Sequence, residues 1–190
     1  MNTKKVVGSP YFWAMVAGAT LVLVAWLGRE SYRPVITGEP APEFTVTTLT
    51  GETVSLSDYE GKVVLVNVWA TWCGPCLQEM PSMQRLYDVV RADEGGQDFE
   101  ILAVSIDARI GERDASGNLG GDLRAFAERF GLTFPILHDP TGDIRYTYQT
   151  TAVPESFVVG RDGLIWKKHA GAEEWDSPDN LGLVRRLLAR

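Results

Sequence analysis

Cys73 and Cys76 stand two residues apart in Trp72-Cys73-Gly74-Pro75-Cys76, and the chain of 190 residues has no other cysteine. That spacing puts both sulfurs on one turn of a helix beginning at Cys73. Pro75 fits such a start, because the N–H it lacks would have had no partner in a first turn. A sulfur there meets unpaired N–H groups and the positive end of the peptide dipole. Both favour the thiolate, the nucleophile of disulfide exchange. Cys73 is expected to be exposed and to attack, and Cys76 to be shielded and to resolve the mixed disulfide that forms. Half of a zinc site is the competing use of the pair. It would need two more ligands, and the chain offers only His138 and His169, 31 positions apart, whereas zinc-binding histidines lie close in sequence. Both histidines read as strand-end residues, and no metal is expected.

A strand must deliver the dithiol and a helix must start beneath it. Residues 63–69 (VVLVNVW) are β-branched and mostly apolar on both faces, the pattern of a central strand covered on both sides. The helix after Cys73 should run towards Ala92. Residues 99–106 make a second apolar strand. Leu123, Phe126, Ala127 and Phe130 share one face of a helix over residues 122–130, with Gly131 as its stop. Residues 156–159 and 164–169 flank Gly160-Arg161-Asp162-Gly163, a hairpin turn, and residues 44–49 and 53–56 form an earlier hairpin. Leu181, Val184, Leu187 and Leu188 mark a closing helix. The pattern predicts an α/β fold, with a central mixed sheet, helices on both faces and an N-terminal β-hairpin extension. Residues 114–118 (DASGN) resemble a calcium loop only faintly. They lack the glycine and the glutamate such a loop needs, so residues 108–121 read as a polar insertion.

Composition is that of an ordinary globular chain, 45% hydrophobic and 23% charged, which excludes a fibrous or wholly disordered protein. A net charge of −7 leaves no electrostatic footprint for phosphates, so nucleic acid is not a partner. No charged residue occurs from Val6 to Gly28. As a helix that stretch would reach roughly 35 Å, enough for a bilayer core of about 30 Å. Residues 1–28 are therefore expected to be a membrane anchor, a single transmembrane helix. Lys4 and Lys5 favour an N-in orientation in the inner, cytoplasmic membrane, with the catalytic domain on the periplasmic, extracytoplasmic side. A cleaved signal peptide is the competing reading, since Ala17-Gly18-Ala19 is a small-residue triplet, although it sits inside the apolar run. Residues 29–43, with Pro34, Pro40 and Pro42, read as a linker, and residues 44–190 as the domain.

Four motifs, in order, carry a resemblance: PAPEF at 40–44, GKVVLVNVWATWCGPC at 61–76, EMP at 79–81 and VPESFVVGRDG at 153–163. The segment from about Glu39 onward resembles the thioredoxin superfamily, specifically the membrane-tethered TlpA/ResA-like oxidoreductases and the DsbE (CcmG)-like branch of cytochrome c maturation. The resemblance implies a thioredoxin-like fold in which Pro154 is a cis-proline facing the dithiol. Trp72, Gly74, Pro75, Val153 and Pro154 would then border the substrate, with Trp69 in the core. It implies a redox-active Cys73–Cys76 disulfide and no separate cofactor. The partners would be disulfide-containing proteins, apocytochrome c haem-attachment sites among them, and a thiol-transferring membrane electron donor. A Gly-Pro pair between the cysteines is the choice of reducing thioredoxin, so a reductase is expected.

One departure matters. Thioredoxin has a buried aspartate six residues before its first cysteine, and Asn67 stands there in this chain. An amide does not take up and release a proton near neutrality. Glu79 and Glu155 match acidic positions of the tethered oxidoreductases, and one or both are expected to take the Cys76 proton, helped by partial burial. The plainer readings are a solvated helix charge for Glu79 and a substrate-binding rim residue for Glu155. Two other functions compete: a copper-binding or chaperone-like domain, and a thiol peroxidase. Peroxiredoxins share the fold, but they need threonine or serine three residues before the reactive cysteine and proline seven before it. Ala70 and Val66 occupy those places.

Overall fold

Consecutive apolar residues on a strand need cover on both of its faces. In the computed structural model, which describes residues 10–28 and 34–190, the chain supplies that cover. The elements are α1 (Pro10–Gly28), β1 (Thr45–Thr48), β2 (Thr53–Ser55), β3 (Val63–Trp69), α2 (Gly74–Ala92), β4 (Phe99–Ser105), α3 (Leu123–Phe130), β5 (Ile136–His138), α4 (Asp143–Thr147), β6 (Glu155–Val159), β7 (Ile165–Ala170) and α5 (Pro178–Leu188). All seven strands join one sheet in the order β2-β1-β5-β4-β3-β6-β7. Every residue of β3 and of β4 is buried. β3 runs parallel to β4 and antiparallel to β6, so the sheet is mixed.

Neighbouring residues of β6 show how the faces are used, because strand side chains alternate. Ser156 meets Asn67, whose amide also reaches Glu79 of α2. Phe157 points the other way and packs edge-on against Tyr148, just past α4, at 4.8 Å between ring centres. Helices thus cover both faces, as the sequence pattern predicts. β5 and α4 are the elements that pattern misses. Three residues of strand and five of helix are too short to show a period. β5 bonds to β4 on one side and β1 on the other, so this short strand joins the N-terminal hairpin to the sheet. Tyr148 reinforces the join: its hydroxyl donates to Pro42 O at 2.9 Å, and its ring meets Phe44.

The chain before the hairpin runs along the far edge. Gly38 N donates to Ile165 O at 2.8 Å, Ile165 N to Glu39 O at 2.9 Å and Ala41 N to Gly163 O at 2.9 Å. Val35 is buried. These bonds occupy backbone groups of β7 that an open edge would leave free.

The expected transmembrane helix is not found. Among the described residues, no helix is long and apolar enough to cross a membrane. The segment is helical over Pro10–Gly28, 19 residues, which reach about 28 Å against a bilayer core of about 30 Å. Pro10, Gly18, Thr20 and Gly28 dilute its apolar content. The single-pass placement in the inner membrane, and the membrane as a partner through this helix, are corrected accordingly. Lys4 and Lys5, on which the N-in orientation rests, lie outside the described residues, as do residues 29–33 of the expected linker.

Phe157 is fully buried between Tyr148 and the sheet. Phe157→Ala is expected to lower unfolding stability by about 3–5 kcal/mol, read from urea denaturation of the full chain.

Candidate active site

β3 ends at Trp69, and Ala70, Thr71 and Trp72 turn the chain into α2. Cys73 is the N-cap of that helix, and its sulfur accepts from Cys76 N at 3.2 Å. Cys73 and Cys76 form a disulfide. Cys73 keeps 5% of its surface exposed and Cys76 none. The order of accessibility is the expected one, although in the oxidised pair even the outer sulfur is largely covered. The helix continues through Pro81, whose ring removes one backbone donor beneath the dithiol.

Two loops border the sulfurs. The Val153–Pro154 peptide is cis, and Val153 O lies 3.5 Å from Cys73 Sγ. Trp72 stands beside the pair with 38% of its surface exposed, while Trp69 is fully buried against Phe126. Gly74 has open space where a side chain would be. The turn itself is fastened from behind by Asp107. Its carboxylate accepts from Thr71 N at 2.8 Å, from the Thr71 hydroxyl, from Ser105 Oγ at 2.7 Å and from Gly121 N at 3.0 Å. Its carbonyl meets His138 Nε2 at 2.8 Å. A Cβ on Gly121 would collide with the Thr71 side chain, so glycine is needed where the insertion rejoins the active-site turn. Within the insertion, Asp114 accepts from Ser116 N, Asn118 N and the Asn118 amide. Its carboxylate organises a turn, and no metal-binding group is found among the described residues.

Glu79, one turn after Cys76 on α2, is 1% exposed. Oε1 accepts from Asn67 Nδ2 at 2.8 Å, and Oε2 accepts from Glu173 N and Trp175 Nε1, each at 3.2 Å. Burial raises its pKa to about 7. The bonds from Asn67, Trp175 and Glu173 N pull the other way, and the nearby Glu173 charge adds to the rise. Asn67 also donates to Ser156 Oγ at 2.8 Å, leaving its own oxygen buried without a partner. A buried carboxyl that titrates near neutrality, one turn from a resolving cysteine, is equipped to accept and release a proton.

Glu155 is arranged differently. It is 4% exposed, and one oxygen lies 3.2 Å from Lys168 Nζ, which also donates to Val35 O at 3.1 Å. Its second oxygen is buried without a partner. Alternation along β6 puts Glu155 with Phe157, on the face opposite Ser156, Asn67 and Glu79. The structure thus gathers Cys73, Cys76, Val153 and Pro154 together with Glu79 below them, and turns Glu155 towards Lys168.

The sequence reading missed Asp107, Glu173 and Trp175. Asp107 had a signal, a carboxylate placed directly after a buried strand. Trp175 had a fainter one, a large aromatic in the polar stretch GAEEWDSP.

The AhpC/TSA family pattern matches residues 37–168, more than two thirds of the chain. The chain belongs to that family. Within it, the chain is 39% identical over 152 residues to the thiol-disulfide oxidoreductase ResA of Geobacillus kaustophilus, covering 76% of this chain and 79% of that one. The thioredoxin-like protein YneN of Bacillus subtilis is 36% identical over 165 residues, covering 82% and 89%. Among solved structures, a thiol:disulfide interchange protein DsbE of Chlorobium tepidum superposes with a TM-score of 0.62 at 29% identity, covering 81% of this chain and 96% of that one. This AhpC/TSA member is a ResA/DsbE-like protein of the thioredoxin superfamily, a thiol–disulfide oxidoreductase working through Cys73 and Cys76.

A carboxyl whose folded pKa is raised above its unfolded value adds stability at low pH and loses it as pH rises through the folded pKa. For Glu79 the window runs from the ordinary 4.5 to about 7. Wild type is therefore expected to lose up to about 3 kcal/mol between pH 4.5 and pH 8 that Glu79→Gln does not lose. Paired urea titrations across that range read the difference in slope.

Proposed function

We propose that the chain reduces protein disulfides, apocytochrome c haem-attachment cysteines among them, with Glu79 as the acceptor of the Cys76 proton. The observation that carries this reading is the buried Glu79 carboxyl, with its pKa raised to about 7, one helical turn beneath the dithiol. The Cys73 thiolate attacks one sulfur of the client disulfide. A bond forms between Cys73 and the client, and the client's other sulfur leaves as thiolate. Cys76 then gives its proton to Glu79 and attacks Cys73 Sγ. The Cys73–Cys76 disulfide forms, the client's second thiolate departs, and the client has gained two electrons. A dithiol donor must return those electrons before the next cycle, and a thiol-transferring membrane protein is the class that fits.

Val153 and Pro154 supply a backbone edge beside Cys73 against which an extended client segment can lie. Trp72 walls one side, and Gly74 and Pro75 keep the front of the helix low. The Glu155–Lys168 pair, directly after Pro154, fixes the start of β6 and so the height of that edge. The Gly-Pro pair between the cysteines favours reduction over oxidation. Similarity to ResA and DsbE supports the client class.

Full-length Cys76→Ala lacks the resolving thiol and is expected to hold its client on Cys73 as a stable mixed disulfide. Expressed in cells that make c-type cytochromes, it should capture apocytochromes or their maturation partners, identified by mass spectrometry after non-reducing separation. Capture of many unrelated secreted proteins instead would refute the client assignment. Cys73→Ser is expected to capture nothing and to reduce insulin no faster than background.

A further inference from the structure

Oε2 of Glu79 is met by two donors, and neither belongs to the helix that carries the cysteines. Both come from the loop between β7 and α5: the amide of Glu173 and the indole N–H of Trp175, each 3.2 Å away. We propose that Trp175 is a positioning residue of this site: its indole N–H, beside the Glu173 amide, holds the Glu79 carboxylate in the orientation in which it takes the Cys76 proton. This inference rests on the role assigned to Glu79 above.

The loop is held in place by contacts that do not involve the Glu79 carboxylate. Trp175 N donates to Ser82 Oγ at 3.0 Å, and that hydroxyl lies 2.8 Å from Glu79 O and 3.2 Å from Glu173 O. The Glu173 carboxylate pairs with Lys167 Nζ and with His169 Nδ1, each at 3.0 Å. Lys167 also donates to Asn180 Oδ1 at 2.7 Å and lies over the Trp175 ring. Arg85 of α2 clasps Glu174 and Asp176 on either side of Trp175. Trp175 itself is 1% exposed. The donor is therefore already aimed before any proton moves, which is what electrostatic preorganisation requires.

An indole N–H can donate and cannot accept. It therefore favours the charged carboxylate and opposes the rise that burial imposes. Phenylalanine in its place keeps most of the apolar surface and removes that donor, with a smaller ring left in the buried site under Lys167. The charged and titratable groups facing the site are few. Cys76 lies a turn back on α2, the Asn67 amide and Ser156 hydroxyl lie on the sheet, and Glu173 sits on the loop with Lys167 and His169 of β7 paired to it. Partial burial pushes Glu173 up, but the Lys167 ammonium and the His169 ring outweigh it and hold its carboxyl below the ordinary range. The charge of Glu173 thus stays fixed while Glu79 titrates.

The test uses the full chain in two measurements. In the oxidised protein neither cysteine titrates, so the Trp175 indole resonance, assigned through its couplings to the backbone in isotope-labelled wild type, is followed by NMR from pH 5 to pH 9. It is expected to shift with a midpoint near the Glu79 value of about 7. The shift should vanish in Glu79→Gln and persist in His169→Gln, the control for the imidazole 6.5 Å from the indole. The rate of the resolving step is then measured against pH in single turnovers. Trp175→Phe is expected to move the rising limb up by about one pH unit, with about tenfold slower resolution below the midpoint. A residue that only fills the core would weaken stability at every pH and leave that limb in place. An unmoved limb in Trp175→Phe, where Glu79→Gln abolishes it, overturns the role of Trp175 and leaves Glu79 standing. A limb that survives in Glu79→Gln overturns the reading of Glu79 itself. If Trp175→Phe does not fold, the wild-type resonance decides: an indole that does not titrate with Glu79 sinks the proposal.

Discussion

A carboxyl group removed almost wholly from water has to be met by donors, and those around Glu79 come from separate parts of the chain. Asn67 reaches it from β3, Glu173 and Trp175 from the loop before α5, and Ser156 joins through Asn67. The desolvation that would otherwise make such a site unaffordable is offset only while all these pieces stay in register. The strand that delivers the cysteines, the helix that carries them and the C-terminal loop therefore all meet at Glu79, beside the contacts that Ser82 and Arg85 of the same helix make to that loop. The same burial lifts the titration of Glu79 into the range where a thiol–disulfide oxidoreductase works. With Glu79 as the proton acceptor proposed above, stability and chemistry draw on one contact, and they pull in opposite directions as pH rises.

The two glutamates paired in the sequence argument separate in space, and the reason is elementary. Glu79 is on a helix and faces inward at the period of Cys76, so it shares the cysteine's side. Glu155 opens a strand whose next residue, Ser156, already faces Asn67. Alternation then sends Glu155 to the other face, where Lys168 and the Val35 carbonyl receive it. Proximity to Pro154 along the chain did not bring Glu155 onto the face that Glu79 shares with Asn67 and Ser156. The period of the element decides which side of the sheet a charge reaches.

Where a residue's neighbours in sequence are also its partners in space, the fold and site were legible in advance. The Cys-Gly-Pro-Cys turn, the buried β3 and β4 and the amphipathic α3 with Gly131 behind it follow from local patterns. So does the relative exposure of Cys73 and Cys76. The cis form at Pro154 followed from family resemblance rather than from any local rule. β5 and α4 escaped because three and five residues carry no measurable period. Trp175 escaped because its bond to Glu79 spans 96 positions, and nothing in the local stretch GAEEWDSP marks that partner. Near the N-terminus, absence of charge over many residues is not the same as a helix of sufficient length and apolarity.

Asp107 carries a different implication. Its Oδ2 accepts from the Thr71 amide and its Oδ1 from both the Thr71 hydroxyl and the Gly121 amide, so both ends of residues 108–121 are pinned at one point behind the catalytic turn. A segment closed on itself in this way transmits little of its own shape to what lies beneath. Apart from its glycines, of which Gly120 packs against the Ala108 carbonyl, the stretch between the pinned ends is where exchange or a change of length should disturb Trp72 and the dithiol least. The molecule therefore separates a region free to diversify from a region that must not, and a single acidic side chain marks the border between them.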